Sequence, residues 1–243
     1  ILGILCALVG FYAVGPVVSA LTTFLSAGVA LMIEHGLLPL VSIFIEPAKV
    51  LFLNNAINHG IFSPIGIEQA RQTGESIMFL LETNPGPGLG VLLAYWAFAR
   101  GEARSSAPGA IVIQFFGGIH EIYFPYVLMR PAIILAPIAG SAAAILFYSL
   151  TGTGLTAVAS PGSIIAVLAM APKGQMLLLL AGVVIAAVVS FFVASPIVKR
   201  ADLEEVKPIQ KPNGKIIGGT LPVVRAIDAP IRTVIFACDA GMG

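Results

Sequence analysis

Long runs without Asp, Glu, Lys or Arg dominate the chain, and a helix that crosses a membrane needs about 20 mostly apolar residues. Residues 1–33 carry no charge, and Gly15-Pro16 divides them into a short or truncated span and a second from about Val17 to Ile33. Leu37 to Phe52 is the next apolar run, with Glu46-Pro47 and Lys49 inside it. Residues 131–172 are again uncharged, enough for one full span and a second element, with breaks at Thr151-Gly152-Thr153-Gly154 and at Ser160-Pro161-Gly162. Gln175 to Val198 is the cleanest single span.

Between these runs the pattern turns polar without turning soluble. Asn54 to Glu75 holds three asparagines, His59, Pro64 and Arg71, too polar for lipid, and is expected inside the protein at membrane depth. Ile77 to Leu81 and Gly88 to Ala99 flank Glu82-Thr83-Asn84-Pro85-Gly86-Pro87, and neither piece is long enough to span alone. That pattern predicts a broken or re-entrant hairpin, which membranes tolerate where irregular backbone is buried in protein or lines a water-filled cavity. Arg100 to Arg104 reads as a short loop on the cytoplasmic side. Gly117-Gly118-Ile119-His120-Glu121 interrupts a further hydrophobic region, Gly109 to Ile119 and Phe124 to Met129.

Composition confirms the membrane class: of 243 residues 58% are hydrophobic and 10% charged, with a mean hydropathy of +0.98. A soluble domain carries about 25% charged residues and cannot hide so much apolar side chain. The 25 charges are uneven, 13 in residues 1–198 and 12 in the last 45. Lys199 and Arg200 place the end of the last span in the cytoplasm. Residues 199–230 have linker composition (Lys207-Pro208, Lys211-Pro212, Gly218-Gly219), and Ile231 to Ala237 reads as a β-branched strand. The expected fold is therefore an all-α polytopic membrane protein with broken or re-entrant helical hairpins over 1–198. A cytoplasmic linker (199–230) and the first strand and loop of a soluble α/β domain (231–243) follow. The start at Ile1 and the stop at Gly243 read as cuts in a longer chain. A net charge of +1 without basic or aromatic patches makes nucleic acid no partner.

Two clusters and one cysteine carry candidate chemistry. His120 and Glu121 form an ionisable pair within a membrane segment, where such groups turn to a cavity or a partner; the plainer reading is an interior staple to neighbouring backbone. A zinc site of the His-Glu-x-x-His kind is excluded by Phe124 at the second histidine position. If the 54–59 stretch is helical, Asn54 and Asn58 share one face, as do Asn55 and His59. Amides donate and accept hydrogen bonds, as a polyhydroxylated substrate does; alternatively Asn58-His59-Gly60 ends a helix. Glu82 and Asn84 are weaker candidates, since a carboxylate at a hairpin tip is equally well solvated. Cys238, directly after a strand and followed by Asp239, Ala240, Gly241, Met242 and Gly243, sits in a loop whose N–H groups could cradle a phosphate and stabilise a thiolate. A buried inert cysteine is the default alternative.

Five blocks carry a resemblance: Leu53 to Phe62, Asn84 to Gly88, Gly117 to Tyr126, Ser160 to Ala166 and Ala237 to Gly243. In this order they resemble the mannitol permeases of the bacterial phosphoenolpyruvate-dependent sugar phosphotransferase system, the membrane IIC part followed by the start of a IIB domain. The resemblance implies a homodimeric, multi-pass protein of the bacterial cytoplasmic (inner) membrane that binds mannitol and moves it inward while phosphorylating it. It further implies Glu121 as the central sugar ligand and a possible base, with His120, His59 and the asparagines in support. Cys238 is implied as the phosphocysteine attacked by a sugar hydroxyl, fed by a IIA domain through the rest of IIB. No metal or organic cofactor is implied. The family's N-terminal helices and most of IIB are absent from these residues, so this chain alone is expected to bind sugar without turning it over. Two other classes compete: an ion-coupled secondary transporter with His120 and Glu121 as a proton relay, against which the cysteine loop speaks, and a membrane-anchored thiol enzyme, which leaves the interior asparagines without purpose.

Overall fold

The computed structural model describes residues 2–205; the expected linker, the 231–237 strand and the Cys238 loop lie outside the described residues. Helix α1 (Leu2–Glu34) is continuous, so Gly15-Pro16 does not divide it. A wider π turn over Gly10–Val14 precedes the proline, and the Gly15 N–H reaches back to Gly10 O. Proline offers no N–H to the carbonyl four residues earlier, and the wider turn absorbs that gap without ending the helix. Of Gly15–Glu34 only Leu25 and Val29 are buried, packed with Val41 and Ile45 of the next segment. Apolar residues such as Phe11, Val17 and Phe24 stay exposed, as befits a helix whose solvent is lipid.

The run from Leu37 to Phe52 is not a span. A 3-10 turn (Leu38–Val41) leads into α2 (Ser42–Val50), and the two together are too short to cross. The helix ends in a reversal with Phe52 N–H on Lys49 O and Leu53 N–H on Ala48 O, both 2.8 Å. This is a Schellman end. Its left-handed position is filled by Phe52 (φ 60°) where glycine is usual. The reversal delivers Asn54 at the start of α3, 54–73, in which a π turn (Asn58–Phe62) is passed without interruption. The alternative of a helix ending at Asn58-His59-Gly60 is thereby excluded.

Ile77–Phe98 is a second candidate span, broken once. A 3-10 turn (Ile77–Phe79) and α4 (Leu80–Thr83) stop at Asn84, which is extended (ψ 116°), and α5 (Gly86–Phe98) resumes. The expected hairpin over 77–99 is instead one interrupted span. The hairpin falls one step later, where α5 turns at Gly101 (φ 58°) and packs along α6 (Gly101–Ile111). The expected Arg100–Arg104 loop is thus mostly the first turn of α6. A π turn (Val112–Phe116), a 3-10 turn (His120–Tyr123) and α7 (Phe124–Leu128) follow. The third and fourth candidate spans are Pro131–Thr151, containing α8 (Leu135–Thr151), and Met176–Arg200 within α10 (Met176–Glu205). Between them the chain is irregular except for α9 (Ile164–Ala169).

Close helix contact orders these spans. A Cβ on Gly86 or Gly90 would overlap the backbone of α10 at Val183 and Ala187, and one on Gly140 would stand 2.5 Å from Ala186 O. Small residues let membrane helices meet this closely. Gly86 lies beside Val183 and Ala186, while the Phe98 ring stacks on Phe191 and carries the Lys199 ammonium 3.9 Å from its centre. So α5 runs parallel to α10, and Arg100, Arg104 and Lys199 share one end, the cytoplasmic end under the positive-inside bias. The break at Asn84 therefore sits at membrane depth, next to Val183 and Ala186 inside an intact span.

Candidate functional site

The backbone interruptions converge on one cavity of about 240 Å³. Asn54, Asn55, Asn58 and His59 of α3 line it, with Glu82 from the end of α4, Gly118 to Glu121 from the third break, and Val158 to Gly162. The interrupted backbone is covered by side chains of neighbouring elements. Gln114 Nε2 donates to Pro85 O at 2.8 Å, Ser190 Oγ to Pro87 O at 2.8 Å, and Asn84 Oδ1 accepts the Gly86 N–H at 2.9 Å. Unsatisfied carbonyls in hydrocarbon cost several kcal/mol, so each of these bonds keeps the break in place.

Glu82 organises the buried wall. Asn54 Nδ2 donates to one of its carboxylate oxygens at 3.3 Å and Asn58 Nδ2 to the other at 3.1 Å, with all three residues less than 9% exposed. The spacing of four along α3 puts both amides on one face, as the sequence pattern predicts. His120 brings Nδ1 to 4.0 Å from the same carboxylate, and its Nε2 lies 2.9 Å from Gly162 O. A carbonyl only accepts, so Nε2 carries the hydrogen. Gly118 (φ 75°) makes this join possible: a Cβ there would stand 2.6 Å from Ser163 N and 2.9 Å from Pro161 Cβ.

Glu121 stands differently. It is half-buried, lines the cavity, and has no hydrogen-bond or ion-pair partner among the described residues. Asn55 and His59, one helical face round from Asn54 and Asn58, are exposed at the cavity's rim. Seven of the eight candidate ligands are thus brought together. Asn84 is not among the lining residues; it is buried and spends its carbonyl on the Gly86 N–H, stabilising the break. Glu82 is an interior acceptor with two amide donors, not a solvated hairpin tip.

Sequence reasoning passed over a second polar cluster. Glu46 and Lys49 are paired at 2.9 Å and at most 1% exposed; Tyr123 Oη donates to Glu46 Oε2 at 3.0 Å and Ser141 Oγ to Oε1 at 2.5 Å. Opposite charges three apart in an otherwise apolar run were the available signal. The Ser160-Pro161-Gly162 wall was also missed as a site element, although the motif itself is visible in the chain. Cys238 and its loop lie outside the described residues.

The family model for the phosphotransferase system EIIC matches residues 1–141, which include every candidate ligand from Asn54 to Glu121. The chain belongs to the phosphotransferase-system EIIC family. EIIC proteins are integral to the bacterial cytoplasmic membrane, in keeping with four helices long and apolar enough to cross it among the described residues. The mannitol-specific EIICB component of Geobacillus stearothermophilus is 57% identical over the whole chain, and that of Bacillus subtilis 52%. The mannitol-specific EIICBA component of Escherichia coli is 51% identical, again over the whole chain. The chain spans about half the length of these relatives, 54%, 54% and 40% respectively. No solved structure matches it.

Proposed function

We propose that this EIIC chain is the sugar-binding and translocating part of a permease that takes up mannitol and phosphorylates it. The observation that carries the reading is the pairing of a carboxylate held by two amides with an open one in a single cavity at membrane depth. Glu82, bonded to Asn54 and Asn58, fixes the wall, while Glu121 has its acceptor oxygens free of protein partners and available to a ligand. A cavity of about 240 Å³ is large enough for several waters, which a small polyol would displace. Each hydroxyl both donates and accepts, so carboxylate, amide and imidazole groups together can replace its water shell. The mannitol-specific names of relatives above 50% identity support the choice of hexitol.

In the complete protein the transfer step joins this site to Cys238. A sugar hydroxyl attacks phosphorus on the cysteine, the S–P bond breaks as the O–P bond forms, and the hydroxyl proton passes to Glu121 as general base. The IIB loop Asp239 to Gly243 would hold the phosphate through its N–H groups. A IIA domain would reload the cysteine, and a homodimer in the cytoplasmic membrane is the expected assembly.

The test is equilibrium binding of labelled mannitol to the full-length protein in membranes, with sorbitol as competitor, with and without a collapsed proton gradient, in wild type and Glu121→Ala. Gradient-independent mannitol binding that disappears in the variant while membrane insertion persists is the expected result. Uptake of unmodified mannitol that vanishes with the gradient would overturn the proposal in favour of an ion-coupled transporter.

A further inference from the structure

Glu46 and Lys49 are the most deeply buried charges among the described residues, yet neither lines the cavity. A buried ion pair by itself adds little stability, because desolvation offsets most of the attraction. What this pair adds is a fixed acceptor among three elements. Its carboxylate takes the Lys49 ammonium from its own helix α2, the Ser141 hydroxyl from the span α8, and the Tyr123 hydroxyl from the 3-10 turn that carries His120 and Glu121. In a 3-10 turn residues three apart eclipse one another, so Tyr123 and His120 point the same way and both are buried. Each residue of such a turn advances about 120°. The Tyr123 hydroxyl bond thus acts with His120 Nε2 on Gly162 O to fix how the turn is rotated, and with it where Glu121 stands on the cavity wall.

We propose that Glu46, held against Lys49, is a positioning residue for the polyol site: by accepting the Tyr123 hydroxyl it sets the rotation of the 120–123 turn and thereby the stance of Glu121 and His120. This rests on the reading of the cavity as a polyol site. Wild-type binding is therefore measured alongside, and its absence would count against that reading while retained wild-type binding isolates the present one.

Tyr123→Phe removes one hydroxyl and keeps the buried ring, and Ser141→Ala removes the other hydroxyl on the same carboxylate without touching the turn. Both are made in the full-length protein, with labelled mannitol titrated in membranes to separate Kd from the number of sites. Tyr123→Phe should raise Kd about tenfold or more at an unchanged number of sites and should narrow the preference for mannitol over sorbitol. Ser141→Ala should leave Kd within about threefold. A merely structural role would lower the number of sites in both variants and leave Kd and the hexitol preference alone. If Tyr123→Phe does not insert, the triple variant Glu46→Leu, Lys49→Met and Ser141→Ala removes the acceptor and the ion pair together and leaves only the Tyr123 hydroxyl to find a new partner. It should reproduce the rise in Kd. An unchanged Kd in either inserted variant, or equal rises for Tyr123→Phe and Ser141→Ala, would overturn the assignment.

Discussion

Glu82 and Glu121 share a cavity but should fail in different ways when neutralised. Glu82→Gln keeps the shape of the side chain and replaces one of two acceptor oxygens by an amide NH2, a donor. Asn54 and Asn58 each donate to a different oxygen, at 3.3 and 3.1 Å, so one amide N–H is left facing another donor in a residue only 8% exposed. A buried unpaired donor costs about 1–3 kcal/mol, and the surviving bond loses its charge assistance. That corresponds to roughly a 5- to 150-fold fall in the folded-to-unfolded ratio, or several degrees in melting temperature for a chain of this size. Glu121→Gln removes no bond within the protein, so its melting temperature should stay within the scatter of an exposed substitution, about ±0.5 kcal/mol. Its mannitol affinity should nonetheless fall about tenfold or more, the worth of one or two hydrogen bonds to a charged group. The assay is paired: thermal unfolding of the purified full-length protein in detergent, and mannitol binding in membranes. Equal melting temperatures for wild type and Glu82→Gln, or an equal fall for both variants, would refute the division of labour drawn from the hydrogen bonds.

Three shorter predictions follow. Gly90→Ala or Gly140→Ala should lower thermal stability by about 1–3 kcal/mol despite the better helix propensity of alanine, because the added methyl meets the backbone of α10; a stabilised variant would refute the close packing. Asn84→Ala removes the acceptor of the Gly86 N–H and should lower stability by about 1 kcal/mol while changing Kd for mannitol less than Glu121→Ala does; a complete loss of binding in well-inserted protein would return Asn84 to the site. Cys238→Ser in the full-length protein should keep mannitol binding and lose phosphorylation, so continued phosphoryl transfer would remove the cysteine from its proposed role.

Much of the architecture is legible because lipid imposes a simple rule on side chains: uncharged runs near 20 residues predict the spans Pro131–Thr151 and Met176–Arg200, and the polar breaks predict irregular backbone at depth. The misreadings arise where backbone geometry has more freedom than the side-chain pattern shows. Pro16 marks a division only if the helix keeps a four-residue ladder, and a π turn removes that condition. Leu37 to Phe52 has a span's composition, but Glu46, Lys49 and the Phe52 reversal make it a buried half-span, which depends on partners 77 and 95 residues away. Such long-range bonds leave no local trace. The same holds for Glu82, whose setting beside Pro-Gly-Pro looks like a tip until the amides of α3 are folded against it.

The engagement of Glu82 by two amides also bears on which group handles the proton in the proposed transfer. A carboxylate that already accepts two amide hydrogens, one on each oxygen, is oriented by them and turned toward the α3 wall. His120 is committed at Nε2 to Gly162 O, and its other nitrogen faces the Glu82 carboxylate. Glu121 alone among the three has no internal hydrogen bond to surrender, and it lines the cavity proposed to hold the sugar. A base must lie within hydrogen-bond reach of the proton it takes and lose little by taking it. Glu121 is the one we propose as base, because Glu82 and His120 are already engaged with the surrounding backbone and amides.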